Sequence, residues 1–140
     1  MTTNYSDTFI QVATDSKAKS AIVPVEKGGK ETIASLQYKL IVNNPYKYTS
    51  DDVLFLVFAK RNEISPARFE KEREKFFAKS QACLRSSPLG KSYGWGIHSD
   101  SEGRTAIYGV QTKEYKAFSK DRTVKQLRAM RSSRAVTEKT

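Results

Sequence analysis

A chain of 140 residues, 38% apolar and 11% aromatic, is long enough to bury one hydrophobic core and too apolar for compositional disorder. Its longest apolar run, residues 53–59, falls far short of the roughly 20 residues a membrane-crossing helix needs. One cysteine and one histidine supply neither a disulfide framework nor a zinc cluster, and the net charge of +10 belongs to a C-terminal tail and not to a basic globular face.

Residues 7–13 alternate loosely and are rich in strand formers, which predicts a short strand. Residues 17–30 contain Pro24 and the Gly28-Gly29 pair and predict irregular backbone. Ile33, Leu36, Leu40 and Ile41 recur at helical spacing, with Gln37 and Lys39 off that stripe. Asn43-Asn44-Pro45 ends this helix, because a residue before proline is pushed out of the α region. A connector follows, with Tyr46 and Tyr48 expected at the surface. Residues 53–59 have the composition of a buried strand. Yet Ser50 can cap a helix, Asp51 and Asp52 suit its positive first turn, and Lys60 and Arg61 suit its last. Helix is the reading, with strand as the alternative.

Ser65-Pro66 pairs an N-cap residue with proline at the first helical position, and Phe69, Phe76 and Phe77 mark the buried stripe that follows. Steps of seven residues carry that stripe on to Cys83 and Leu84. Beyond Pro88 the glycines exclude a long helix. Residues 93–99 and 104–111 predict a hairpin closed by the four residues 100–103. Pairing across that loop sets Trp95 opposite Tyr108 and Ile97 opposite Ala106 on one face, with His98 and Ile107 on the other. Thr112 caps a short helix holding Tyr115 and Phe118. The expected architecture is α+β: a small antiparallel sheet including the 93–99/104–111 hairpin, covered by three to four helices. One domain spans residues 1–121, followed by a basic segment, 122–140, packed at first and frayed at its end.

The strings NPYKYTSDDVLF (44–55), ACLRSSPL (82–89), YGWGIH (93–98) and AMRS (129–132) resemble a bacterial family of small proteins known only as a domain of unknown function. The resemblance covers nearly the whole chain and implies a bacterial, single-domain protein. It supplies no activity, cofactor or catalytic residue.

The stretch from Cys83 to Tyr108 holds the only cysteine, tryptophan and histidine, and that crowding marks the candidate site. Arg85, Lys91, Tyr93, Trp95, His98 and Tyr108 converge there on a glycine-rich turn. Two cations and exposed backbone N–H groups suit a small anion, and the aromatic rings suit a stacking wall beside it. Gly90-Lys91-Ser92 lacks the upstream glycine and following helix of a phosphate loop. Cys83 is either a nucleophile, with Arg85 beside it and His98 as base, or a small hydrophobe on the Phe76 stripe. His98 without histidine or cysteine partners makes no metal site, and no cofactor motif is present.

Between Arg122 and the C-terminus six basic residues face one glutamate, which places half of the net charge of +10 in the last 19 residues. Arg122, Lys125, Arg128 and Arg131 recur every third residue and would spiral around a helix, and no aromatic is interleaved. Only weak, sequence-independent nucleic-acid binding is expected there. The first residues lack a basic or apolar leader, so a cytoplasmic location is expected; no membrane partner is read, and the sequence leaves the oligomeric state open.

Overall fold

The computed structural model describes residues 2–132. The expected frayed end, from residue 133 onward, lies outside the described residues. Among the described residues the fold is α+β: four strands and five helices around one sheet. The strands are β1 (Thr8–Gln11), β2 (Trp95–Ser99), β3 (Thr105–Gly109) and β4 (Lys125–Arg128), in the order β3-β2-β1-β4. β1 pairs antiparallel with β2, and β2 with β3. The expected sheet was wholly antiparallel; β4 runs parallel to β1, so the sheet is mixed. That pairing joins segments more than a hundred residues apart, which no local pattern announces.

The helices are α1 (Ile33–Val42), α2 (Ser50–Arg61), α3 (Phe69–Ala78), α4 (Pro88–Lys91) and α5 (Lys113–Ser119). Residues 53–59 are helical, as their flanking charges implied, but the cap is Thr49. Its hydroxyl accepts the Asp52 N–H while the Asp52 carboxylate accepts the Thr49 N–H, a reciprocal capping box. Thr32 and Ser35 close α1 in the same manner. Within α1 the stripe is rotated from the one expected: Ile33 is 40% exposed and Gln37 only 3%. Gln37 is tolerated inside because its side-chain oxygen accepts the Ser87 hydroxyl at 2.5 Å, tying α1 to the cap of α4.

Ser65-Pro66 opens a 3-10 turn, Pro66–Arg68, before α3 begins, and the Ser65 side chain makes no cap bond. No residue of α3 is fully buried, so Phe69, Phe76 and Phe77 form a half-buried stripe and not the buried one expected. The helix stops at Ala78, which removes the helical continuation to Cys83.

The hairpin register is shifted by one residue. Trp95 faces Gly109, Ile97 faces Ile107 and Ser99 faces Thr105, which lengthens the connection to residues 100–104. Asp100 organises that loop: its carboxylate accepts the N–H groups of Glu102 and Arg104. Because strand side chains alternate, one step moves a whole strand's pattern to the other face. Ile10, Ile97 and Ile107 share the core with Ile41, Val53 and Leu84 on the α1/α2 side. Phe9, His98 and Tyr108 lie on the opposite side, which α5 covers through Tyr115 and Phe118.

Candidate functional site

The shifted register builds a cluster that the expected pairing would have split. His98 and Tyr108 occupy the same face, and Tyr46 reaches across to both. The Tyr46 hydroxyl lies 2.7 Å from His98 Nδ1 and 2.9 Å from the Tyr108 hydroxyl. The Phe118 ring stacks on the imidazole at 4.1 Å between centroids and 25° between planes. Tyr46 gets there by an unusual backbone: φ is +57°, in a turn led by Pro45 and closed by the Lys47 N–H to the Asn44 carbonyl. The third position of such a turn requires positive φ and normally holds glycine or asparagine. The Tyr46 N–H is fixed on the Thr105 carbonyl at 2.8 Å, so the outer edge of β3 holds the turn in place.

Three titratable rings in one chain of hydrogen bonds admit two arrangements. In one, Tyr108 donates to Tyr46, Tyr46 donates to Nδ1, and the neutral imidazole carries its proton on Nε2. In the other, Nδ1–H donates to Tyr46, Tyr46 donates to Tyr108, and Nε2 presents a bare lone pair. An imidazolium fits only the second. The Nε2 atom has no hydrogen-bond partner among the described residues and is not sealed from solvent. Burial holds the imidazole below its ordinary pKa, against the opposing pull of Asp100, Asp7 and Asp121. Burial, together with the Tyr108 hydrogen bond, holds the Tyr46 phenol well above its ordinary value.

The other expected site residues are dispersed. Cys83 is half-buried, its thiol 3.1 Å from the Tyr5 hydroxyl, and burial helped by that thiol pushes the Tyr5 phenol up to about 12. No Cys83–His98 contact forms. Cys83 immediately precedes Leu84 of the α1/α2-side core, and His98 lies across the sheet. Arg85 turns to the end of β4, where its Nε donates to the Arg128 carbonyl at 2.7 Å and its own carbonyl accepts the Met130 N–H. Trp95 donates its indole N–H to the Ile22 carbonyl at 2.9 Å and leans on Tyr38. Tyr93 accepts the Ile22 N–H on its carbonyl. Gly94, at φ +80°, permits this approach, since a Cβ there would stand 3.0 Å from Ala18 Cβ. Both aromatics therefore pin the 18–22 segment.

Lys91 lies elsewhere again, on a cavity of about 390 Å³ that it shares with Asp15, Ser16, Lys17, Ser92 and Ser132. Neither lysine has an ion-pair partner among the described residues. The Asp15 carboxylate accepts the Ser132 N–H at 3.1 Å, and Arg131 donates to the Thr14 hydroxyl. Sequence reasoning found Lys91, set Ser92 aside with the Gly90-Lys91-Ser92 string, and missed Tyr46, Lys17, Ser16 and Ser132. For Tyr46 the proline-led turn was the available signal; for Ser16 and Ser132 there was none.

The chain matches a described family of unknown function, DUF6157, over residues 1–135. It belongs to that family. No curated protein and no solved structure matches it. Among the described residues no helix is long and apolar enough to cross a membrane, and no group of three or more histidine, cysteine or acidic side chains is placed to hold a metal ion. Family membership thus carries no chemistry to the His98 cluster or to the Lys91 cavity, and both are read from their geometry.

Proposed function

We propose that this chain is a binding domain for a small anionic ligand, such as a phosphate or carboxylate, held at the Lys17–Lys91 cavity. The observation that carries the reading is two ammonium groups without ion-pair partners among the described residues, beside three serines around one cavity. Arg85 serves this site at a distance, by clamping the 128–130 segment that leads to Ser132. Trp95 and Tyr93 serve it by fixing the segment just after Lys17. Asp15 has its charge turned toward the Ser132 N–H, which tempers its repulsion of an anion.

Thermal shift with inorganic phosphate and a panel of small carboxylates tests the proposal. A ligand that binds only the folded chain, at a hundred times its Kd, adds about 2.7 kcal/mol of stability. The melting temperature should rise with at least one anion, and Lys17→Glu and Lys91→Glu should each abolish the rise. No stabilisation by any anion, or stabilisation unchanged in both variants, overturns the reading.

A second reading, proton transfer at His98, is favoured by the Tyr46–His98–Tyr108 relay with its open Nε2. It replaces the thiol enzyme as the enzymatic alternative, because the Cys83 thiol is paired with Tyr5 and not with the imidazole.

A further inference from the structure

We propose a second small-molecule site, independent of the Lys17–Lys91 cavity, in the groove between α2 and the last turn of α3. Its ligand would be a compound with an aromatic body and a single carboxylate. α3 is the least embedded long helix: none of its residues is fully buried, and its aromatic stripe is shared between α2 and solvent. It is tethered to α2 by the Phe55 contacts to Phe69 and Phe76 and by the Arg73–Asp52 ion pair at 2.9 Å. Those contacts leave one side of the stripe open. There Phe58 and Phe76, with centroids 4.7 Å apart and planes tilted by 40°, wall a cavity of about 530 Å³. That volume lies in the roughly 300–1,000 Å³ range of small-molecule sites, and an apolar wall with a few polar groups is their usual lining.

The charges around the groove select the ligand. Glu72, Lys75, Lys79 and Gln81 complete the lining. The Glu72 carboxylate is held by Arg68 at 2.8 Å and by Lys75 at 3.7 Å, so its charge and that of Lys75 are committed to each other. Gln81 donates its amide N–H to the Phe76 carbonyl at 2.7 Å, which occupies an end-of-helix acceptor that would otherwise repel an anion. Lys79 alone is left: exposed, and with no ion-pair partner among the described residues. An aromatic ring against Phe58 and Phe76, with a carboxylate on Lys79, satisfies both halves of the groove.

The test is an NMR titration of the full chain with phenylbutyrate and with its uncharged counterpart phenylbutyramide. Phenylbutyrate should give saturable shifts at Phe58, Phe76 and Gln81, and the amide should bind about three- to tenfold more weakly for want of the charged contact. Lys79→Glu, at an exposed position that leaves the fold intact, should weaken phenylbutyrate at least as much. Lys91→Glu should leave it unchanged, which separates this site from the anion cavity. Absence of saturable binding overturns the proposal. So does equal binding of acid and amide, which would mark a merely apolar surface, or an affinity that follows Lys91 instead of Lys79.

Discussion

Tyr46 shows how one residue can be expensive locally and useful in its setting. A bulky L-residue at positive φ costs about 1–2 kcal/mol. The Tyr46 N–H bond to Thr105 and the paired hydroxyl bonds to His98 and Tyr108 offset that cost. The same cluster makes His98 a pH-dependent element. Its folded-state pKa is lowered, chiefly by burial under Phe118 and Tyr46, with Asp7, Asp100 and Asp121 only partly compensating. As the pH falls, the unfolded chain therefore takes up the proton first, near its ordinary value of about 6.5. The contribution of the neutral imidazole is whole above that pH and is lost between it and the lower folded-state pKa. Denaturant unfolding followed from about pH 7.5 down to about pH 5 should show wild type losing more stability than His98→Gln over that window. Parallel curves for the two proteins would mean that His98 titrates as freely when folded as when unfolded.

At the scale of elements, the hairpin and α5 fit together because Gly96 has no side chain. A Cβ there would lie 2.5 Å from the Phe9 ring and 2.6 Å from the Tyr115 ring. Both rings are fixed, Phe9 fully buried and Tyr115 held by its hydroxyl accepting the Val12 N–H. Gly96→Ala should therefore cost about 1–3 kcal/mol, the usual penalty of overpacking, read as a lower denaturation midpoint. An unchanged midpoint would show that α5 lifts freely from the sheet. The elements themselves were largely legible: Thr112 as cap, the charges flanking α2 and the hairpin all left local signatures. Their exact pairing was not. Residues 100–103 looked like a complete loop, and only the hydrogen bonds from the Arg104 N–H to Asp100 and of Thr105 with Tyr48 show that Arg104 belongs to the turn. That single residue decides whether Tyr108 joins Trp95 or His98. The α1 stripe failed for a similar reason, since nothing near Gln37 in sequence shows that Ser87 will satisfy it. The candidate site was legible only in part: rare residues marked the right stretch, but the fold sends its side chains to opposite faces and ends of the sheet.

Across the whole molecule, the described part of the basic C-terminal region, residues 122–132, is built into the fold. β4 closes one side of the sheet by parallel pairing with β1, Leu127 packs on the core, and Ala129 is 4% exposed. Its charges are partly engaged: Arg128 donates to the Val12 carbonyl and Arg131 to the Thr14 hydroxyl. The Arg85 bonds to residues 128 and 130 fasten the strand's exit. A chain ending at Asp121 therefore loses an entire ladder and part of the core, and it exposes β1 as an unprotected edge. It should melt at a markedly lower temperature or without cooperativity, as followed by circular dichroism. A cooperative melt at the wild-type temperature would make β4 dispensable. The same prediction fixes how nucleic-acid binding by this region must be tested. Truncation would abolish it through unfolding whether or not the cations touch phosphate. Arg122→Glu and Lys125→Glu instead change exposed side chains while leaving β4 paired. If these cations contact duplex DNA, each replacement should lower the slope of log affinity against log salt by roughly 0.9. A slope unchanged in the folded double variant would exclude these two cations from the contact.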